Sequence, residues 1–489
     1  MGMTMRWLTL TILVIAVGCG SPNPDFCCVT EEQCASAGVT DELRPCDLGQ
    51  ACDPSNQCVA KECETSLDCT SADRPTCVNS LCVEGCAIDD DCRGIEGAPR
   101  CDTASGECVG CLSNDECPAD HEICDADTQQ CRGCSGDEDC GDGVCIEATG
   151  RCVVQDHVIY VAEGGDNATD CLKTSPCETL GFALGKVTGS RNVVKILSEK
   201  LAAINSTLTL LDPVTIDGTA HTRLTFAGSP AVTVSSQGCL FEDVSLTAIV
   251  NANILDIPDG GGLVLFSSDI QTDGSIQVRG ELSVLASELP ARSSFDCSSG
   301  KLTIRQSQVA PEIASDNCTL EITRSRLHRG NLGPPMLASS RGLATIENNL
   351  IVDTEVGGNT LRMANHVAGS VFRFNTLVHT TVVPGSATGF DCSGVELSSN
   401  IIALNSSVSV RGSCLVRHTL FDLAAGAAQG VANISADAAT FFVDRTLGDY
   451  HLATDSPGVA LGETGLVNLD LGGNPRPATG PDAGAFEAP

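Results

Sequence analysis

The segments Leu302-Thr303-Ile304-Arg305-Gln306-Ser307-Gln308-Val309 and Leu320-Glu321-Ile322-Thr323-Arg324-Ser325-Arg326-Leu327 share one pattern of alternating apolar residues, a polar residue and a final apolar residue. Short strands that recur at intervals of one coil are typical of a solenoid, in which each coil buries its apolar face by stacking on its neighbours. We therefore predict an all-β fold, a parallel β-helix. Eight segments fit the pattern, ending 18 to 26 residues apart: Cys239–Leu246, Leu263–Ile270, Leu282–Leu289, Leu302–Val309, Leu320–Leu327, Ala344–Ile351, Ser370–Leu377 and Val395–Ile402.

The sixth position of the pattern is serine or asparagine in seven of these segments. Stacked coils would place these residues ~4.8 Å apart, the spacing of neighbouring strands. Hydroxyl and amide groups at that distance can hydrogen-bond along the stack. We interpret the row as a structural polar ladder at a corner of the coil, formed by Ser268, Ser287, Ser307, Ser325, Asn349, Asn375 and Asn400.

Thirty cysteines in the chain indicate either export to an oxidising compartment or metal binding. Sixteen of them form four short repeats with few apolar residues between the cysteines. A module of this size cannot bury a sufficient core, so we expect disulfides to replace it. Four cysteines allow three pairings, and the sequence does not choose among them. The repeats span Cys63–Cys82, Cys86–Cys108, Cys111–Cys131 and Cys134–Cys152.

Metal binding is the alternative for this region. The pairs Cys108/Cys111 and Cys131/Cys134 have the spacing of a zinc ribbon, but periodic disulfides account for all sixteen cysteines. The acidic runs before the second cysteines lack the regular alternation and turn glycine of a calcium loop. We interpret these runs as a solvated acidic face and expect no cofactor, with calcium as the alternative: Asp89-Asp90-Asp91, Asp115-Glu116 and Asp137-Glu138-Asp139.

Further cysteines lie within the predicted β-helix. Cys297 and Cys318, like Cys392 and Cys414, are one coil apart at near-equivalent positions, so each pair is expected to join adjacent coils. Cys171 and Cys177 are disulfide candidates in the segment before the first coil. The helical spacing of apolar residues over 179–187 predicts a short helix that covers the first coil.

Two segments resemble known families. Residues 158–184, with Ile159-Tyr160-Val161 and Gly164-Gly165-Asp166, resemble the start of right-handed parallel β-helix proteins of the pectin-lyase-like superfamily. Asp449-Tyr450-His451-Leu452, Arg476 and the run from Asp482 to Glu487 resemble the choice-of-anchor domain of bacterial surface β-helices. The resemblance implies a cell-surface protein. The domains expected are a signal peptide at 1–18, an irregular cysteine-containing module at 19–62, the repeats at 63–152, a linker at 153–157 and the β-helix with its cap at 158–489.

The net charge of −35 and the 3% aromatic content argue against nucleic acid as a partner, since phosphates would be repelled and bases would find few stacking surfaces. We expect a non-enzymatic surface protein that serves as a scaffold or adhesin or binds a glycan or a protein. The alternative is a polysaccharide lyase or glycoside hydrolase of the same fold. Carboxylates clustered on adjacent coils would favour the enzyme, and the Gly-His-Gly and Arg-Ile-Lys motifs of galacturonan hydrolases are missing.

Arg329, Asp353 and His379 each lie four residues beyond a ladder position on successive coils. They are expected to stack on one exposed face, where a basic group, a carboxylate and an imidazole could contact a ligand. The alternative is a surface ion pair, which contributes ~0–1 kcal/mol.

The N-terminus predicts export. Arg6 precedes an apolar run from Trp7 to Val17 that is too short to span a bilayer, and Ala16-Val17-Gly18-Cys19 resembles a lipobox. Cleavage by an ordinary signal peptidase, followed by secretion, is the alternative. Gly20 stands where an aspartate would indicate inner-membrane retention, so the outer-membrane lipid is the expected partner of the N-terminus.

We predict that Cys19 is acylated, because it directly follows an apolar run that ends in small residues. Several acyl chains would anchor the protein stably where one would not. Intact-mass analysis of membrane-extracted protein should show the lipid on Cys19. A free N-terminus on protein recovered from the medium would contradict this prediction.

Overall fold

The computed structural model describes residues 27, 46, 50–53, 57–71, 74, 76–78, 81–93, 95–119, 121–249, 252–271, 274–289, 293–310, 312–329, 336–353, 361–379, 390–404, 410–422 and 430–488. Cys19 lies outside these residues. The chain forms two compact units, Met1–Cys134 and Ser135–Pro489. Within the described ranges, no helix has the length and apolar character needed to cross a membrane.

The first unit contains small modules, each with a β-hairpin, and the three cysteine repeats also carry a 3-10 helix. In those repeats the first cysteine pairs with the third and the second with the fourth, which decides among the three pairings: Cys63–Cys77, Cys69–Cys82, Cys86–Cys101, Cys92–Cys108, Cys111–Cys124 and Cys117–Cys131. The sulfurs proposed for zinc at Cys108, Cys111 and Cys131 are therefore used in disulfides. The hairpins are Gln50–Cys52/Cys58–Ala60, Thr76–Val78/Leu81–Val83, Arg100–Asp102/Glu107–Val109 and Ile123–Cys124/Cys131–Arg132, and the helices are Ser66–Asp68, Asp89–Cys92 and Asn114–Glu116.

The acidic runs have a structural role beyond solvation. The carboxylate just before each second cysteine accepts hydrogen bonds from main-chain N–H groups that follow the first cysteine. Asp68 accepts them from Glu64 and Thr65 at 2.8 and 2.9 Å, and these bonds hold the pKa of Asp68 below its usual value. The acidic runs are exposed or partly exposed, in agreement with a solvated face, and the last carboxylate of each run also orders the main chain. The equivalent acceptors are Asp91, Glu116 and, in the second unit, Asp139.

The second unit is a parallel β-helix with three sheets, A, B and C, to which each coil adds one strand. Sheet A comprises Val158–Val161, Val193–Ile196, the first parts of Thr215–Phe226 and Cys239–Ala248, then Gly262–Phe266, Glu281–Leu285, Lys301–Arg305, Thr319–Thr323, Ala344–Glu347 and Ser370–Arg373, and the last parts of Phe390–Ser398 and Arg411–Arg417, whose first parts continue sheet C. Sheet B comprises the second parts of those two long strands and Asp269–Ile270, Glu288–Leu289, Gln308–Val309, Arg326–Arg329, Leu350–Asp353, Thr376–His379, Ile401–Ala403, Leu420–Asp422 and Ile434–Ala436. Sheet C comprises Leu208–Leu210, Val232–Val234, Ala252–Ile257, Gly274–Val278, Ser293–Ser298, Glu312–Asp316, Leu337–Ser340 and Leu361–Ala364.

Alternation along each strand sends every second side chain into the interior of the solenoid. Leu302, Ile304 and Val309 of one coil are completely buried and stack on equivalent residues of the coils on either side. No coil has an apolar core of its own, which is why the pattern recurs with so little variation.

The predicted ladder lies at the corner between sheets A and B. Each ladder residue donates its main-chain N–H to the side-chain oxygen of the next ladder residue at 2.9–3.2 Å, from Ser268 through to Asn400. The amide nitrogens of Asn349, Asn375 and Asn400 also donate to main-chain carbonyls at 2.8 Å. The ladder is thus mainly a series of main-chain to side-chain bonds, with a direct amide–amide bond from Asn349 to Asn375 at 3.0 Å.

Covalent links reinforce the coils. Disulfides join Cys297 to Cys318 and Cys392 to Cys414, with Cα–Cα distances of 5.9 and 5.8 Å, and Cys171 to Cys177 before the first coil. The expected covering helix is present as Leu180–Leu184, and Thr179 caps it by accepting from the N–H of Phe182. Cys239 is buried and has no disulfide partner.

Residues 135–152, which belong to the fourth cysteine repeat, pack against the β-helix and share one compact unit with it. They contain the 3-10 helix Asp137–Cys140 and the hairpin Val144–Ile146/Arg151–Val153, and the short helix Gln155–His157 follows them. The division between the two units therefore falls before the linker expected at 153–157, because Val144 and Ile146 pack on apolar residues of sheet A.

A C-terminal cap closes over the outer face of sheet B. It contains the 3-10 helices Ala438–Thr440 and Arg445–Leu447 and the hairpin Phe442–Asp444/Asp449–Leu452. Buried Arg476 pairs with Glu487, donates to Asn348 Oδ1 and to the carbonyl of Gly484 at 2.8 Å, and lies 4.3 Å from the Phe374 ring. Gly484 is required because a Cβ there would lie 2.6 Å from Ile401 and Thr376 side-chain atoms. The residues that resemble the choice-of-anchor domain thus hold the cap on the β-helix.

Replacing Asn375 with alanine should lower the free energy of unfolding by about 3 kcal/mol, because the Asn349 N–H and the Ile346 carbonyl lose a buried partner. Asn375→Ser should cost less than half as much, since serine fills the same position in other coils. Chemical denaturation measures both variants. Equal losses would show that the cavity, rather than the hydrogen bonds, sets the cost.

Candidate functional site

The outer face of sheet B carries a column of polar side chains that stand in register on successive coils. Six strands at a spacing of ~4.8 Å extend the column over roughly 24 Å. Asp269 and Ser245 are partly or fully buried, and the other side chains are exposed to solvent. We call this set the sheet B column: Arg223, Ser245, Asp269, Glu288, Gln308 and Arg326.

Asp269 and Glu288 are in direct register on adjacent coils. Asp269 Oδ2 accepts from the Gln271 side chain at 3.0 Å, whereas Asp269 Oδ1 and Ser245 Oγ are buried without a hydrogen-bond partner among the described residues. A second in-register pair, Asp217 and Glu242, lies buried on sheet A. Carboxylates therefore do stand in register on adjacent coils, the arrangement that would favour an enzyme.

The sequence held a signal for the column that was missed. Its residues from Ser245 to Arg326 occupy the seventh position of the eight-residue pattern, next to the ladder. Reading that position down the segments gives Ser, Asp, Glu, Gln and Arg before it becomes apolar at Leu350. The change marks the point where the C-terminal cap begins to cover the sheet.

A groove of about 1140 Å³ lies where the column meets the cap. Sheet B contributes Arg326 and His328, whose side chains are exposed and form no ion pair with any other described residue. The floor is apolar, with Leu350 and Val352 from the sheet and Phe442 and Tyr450 from the cap hairpin. Nothing in the one-dimensional pattern joins these residues, since the sheet and the cap are far apart in the chain.

The two carboxylates that line the groove accept hydrogen bonds from main-chain N–H groups of the cap. Asp444 accepts from the N–H groups of Thr446 and Leu447 at 3.0 and 3.1 Å, and its hydrogen bonds with Thr446 and Leu447 lower its pKa. Asp437 accepts from the N–H of Ala439 at 3.0 Å. The guanidinium of Arg326 and the imidazole of His328 are thus free for a ligand, while the two carboxylates already accept hydrogen bonds from the cap.

Arg445 fixes the wall of the groove. Its Nη2 atom donates to the carbonyls of His379 at 2.6 Å and Ala403 at 3.3 Å, at the ends of two neighbouring sheet B strands. Burial lowers the pKa of Arg445 and raises that of Tyr450. The hairpin is consequently anchored to main-chain atoms of sheet B.

The predicted stack of Arg329, Asp353 and His379 is in register on three coils. The side chains of Arg329 and Asp353 lie outside the described part of the structure. His379 is 2% exposed, because the cap hairpin covers the end of its strand. His379 therefore does not lie on an exposed face as expected, and the exposed contact residues of this region are Arg326 and His328.

Comparison with protein-family profiles gives no match, and no curated protein matches the sequence. Among solved structures, the chain is similar to the crystal structure of pectate lyase Pel9A, with 12% identity over 68% of this chain and 96% of that chain and a TM-score of 0.38. This similarity carries no argument about substrate or activity.

Replacing Arg445 with alanine should lower the free energy of opening the cap hairpin by about 2 kcal/mol, the usual contribution of hydrogen bonds from a charged donor. Amide hydrogen exchange over residues 442–452 should become faster in this variant. Arg326→Ala is the matched control, because the Arg326 side chain forms no hydrogen bond or ion pair with another described residue. Unchanged exchange in Arg445→Ala would mean that apolar packing alone holds the hairpin.

Proposed function

We propose that this protein is an exported, lipid-anchored surface protein whose β-helix binds a glycan along the sheet B column and in the adjoining groove. The observation that carries the proposal is the exposed row of carboxylate, amide and guanidinium groups at strand spacing. A polysaccharide presents hydroxyl groups at regular intervals, and these side chains can donate to or accept from each of them.

The face of the sheet favours a glycan over an extended peptide. Peptides that add to a sheet do so at an open edge, through main-chain hydrogen bonds. On the face of sheet B the main-chain groups already bond to the coils on either side, so recognition falls to the side chains. A globular surface protein stays the alternative partner.

Export is supported by the chemistry of the cysteines. All described cysteines other than Cys239 are disulfide-bonded, a state that an oxidising compartment maintains and a reducing cytosol does not. Acylation of Cys19 would tether the chain to the outer-membrane lipid, and the disulfide modules would then act as a spacer between lipid and β-helix. This arrangement is part of the proposal.

Polysaccharide cleavage is the second candidate, and the in-register pair Asp269/Glu288 is the observation that favours it. Adjacent coils place the two Cα atoms ~4.8 Å apart. Retaining glycosidases hold their two carboxyl groups roughly 5–5.5 Å apart, and one of these groups forms a covalent glycosyl intermediate.

We expect the full-length protein to bind a defined subset of a glycan array, and calorimetry with those glycans to give a measurable affinity. Glu288→Gln and Arg326→Ala should each weaken binding about tenfold, because each removes a hydrogen bond to a charged group. Glu321→Gln is the matched control, since Glu321 lies on sheet A and pairs with Arg305. The absence of binding, or equal affinities in all variants, would refute the proposal.

The same glycans separate the two candidates. A binding protein should release no reducing ends or unsaturated products during prolonged incubation, with or without calcium. Product formation that disappears in Glu288→Gln and in Asp269→Asn would establish cleavage and would make the binding role secondary.

A further inference from the structure

The segment Ser135–Cys152 lies on the outer face of sheet A at its first coils. Val144 and Ile146 of its hairpin pack against Val158, Tyr160 and Leu240 of the β-helix. We call this segment the fourth module. It is the one described part of the cysteine repeats that shares a compact unit with the β-helix.

Beneath the module lies a second in-register column, on sheet A, formed by Tyr160, Lys195, Asp217 and Glu242. Lys195 Nζ lies 2.8 Å from Asp217 Oδ2 and 3.1 Å from Asp137 Oδ2 of the module. Glu242 accepts from the main-chain N–H groups of two module residues, Glu147 at 2.6 Å and Ala148 at 3.5 Å. One carboxylate of the β-helix therefore bonds the turn of the module hairpin directly.

Acidic groups outnumber cations at this contact. Lys195 pairs with two of these carboxylates, Asp217 and Asp137, and Arg151 of the module lines the neighbouring groove. A buried carboxylate without a full partner favours its neutral form. The acidic groups are Asp137, Glu138, Asp142 and Glu147 from the module and Asp217, Glu242 and Asp243 from the β-helix, together with the phenol of Tyr160.

The pKa directions agree with the charge balance. Burial, together with Glu147 and Asp243, raises the pKa of Glu242 to about 7, although the two module N–H groups oppose the shift. Burial also raises the pKa of Asp217 despite its ion pair with Lys195, and it raises the pKa of Glu147. The docked arrangement thus holds protons that solvent-exposed carboxyls would release.

We propose that the fourth module is a proton-dependent latch, docked on sheet A in mild acid and released as Glu242 and its neighbours ionise. The docked state binds more protons than the open state, so docking weakens as pH rises from the ordinary carboxyl range near 4 to about 7. Above that range both states are ionised and docking no longer changes with pH through Glu242. The inference is independent of the glycan-binding proposal.

The main-chain amides of the module hairpin report on the latch. In the docked state the hairpin packs on sheet A through Val144 and Ile146. Release of the module would expose these amides to solvent, so their hydrogen exchange should become faster.

The test is amide hydrogen exchange over residues 144–153 of the full-length oxidised protein at a series of pH values from about 5 to about 8.5, referenced to residues 301–305. Glu242→Gln keeps an oxygen acceptor for the Glu147 N–H but cannot ionise. Dividing the wild-type rate by the Glu242→Gln rate at each pH cancels the intrinsic pH dependence of exchange. The ratio should rise at least tenfold from the acidic to the basic end, since each unit by which docking raises the pKa of Glu242 corresponds to a factor of ten.

Glu347→Gln is the matched control, because Glu347 pairs with Arg373 on sheet A away from the module, and it should follow the wild type at every pH. A ratio that does not change with pH would overturn the proposal. If Glu242→Gln does not fold, amide exchange of wild-type residues 144–153, corrected for intrinsic rates and referenced to residues 301–305, gives the answer. Protection that stays constant over the same pH range would equally overturn it.

Discussion

The hydrogen bond from each ladder N–H to the side-chain oxygen of the next coil is the constraint on which the rest of the structure depends. The chain turns between sheets A and B through a left-handed residue in each coil, with φ between +48° and +59° from Ser267 to His418. Such a conformation costs roughly 1–2 kcal/mol for a residue other than glycine. The turn leaves the next N–H pointing along the stack, where only a side chain of the adjoining coil can satisfy it. Serine and asparagine recur there because each offers an oxygen at the required reach.

The same corner determines where the cap can sit. Three of the left-handed residues, Asn348, Phe374 and Ser399, contact the cap. Arg476 binds the first two, and the main-chain N–H groups of Glu463 and Gly484 donate to Ser399. Once it is held there, its hairpin covers Leu350 and Val378 and stops short of Arg326. The groove is therefore a consequence of where the cap ends. A ladder residue that touches no ligand still influences the site, because it fixes the corner that holds the cap.

The two polar columns show how environment separates similar residues. Asp269 and Glu288 on sheet B face solvent at least in part, so they can meet a ligand. Asp217 and Glu242 on sheet A have the same in-register geometry, but the fourth module covers them, and burial changes their protonation. Geometry on the solenoid repeats from coil to coil. Function is decided by what covers each face.

The sequence by itself determined the β-helix, the ladder positions and the pairs Cys297/Cys318 and Cys392/Cys414, because these features repeat with the coil and every coil obeys the same local rule. It also contained the sheet B column, at the seventh pattern position. Only the tertiary structure decided the disulfide pairing of the repeats, the burial of His379, the groove between Arg326 and the cap, and the contact of Glu147 with Glu242. The pairing is local, but the cysteine spacing is compatible with all three connectivities. The other contacts join segments that are distant in the chain and share no period, so a one-dimensional pattern does not specify them.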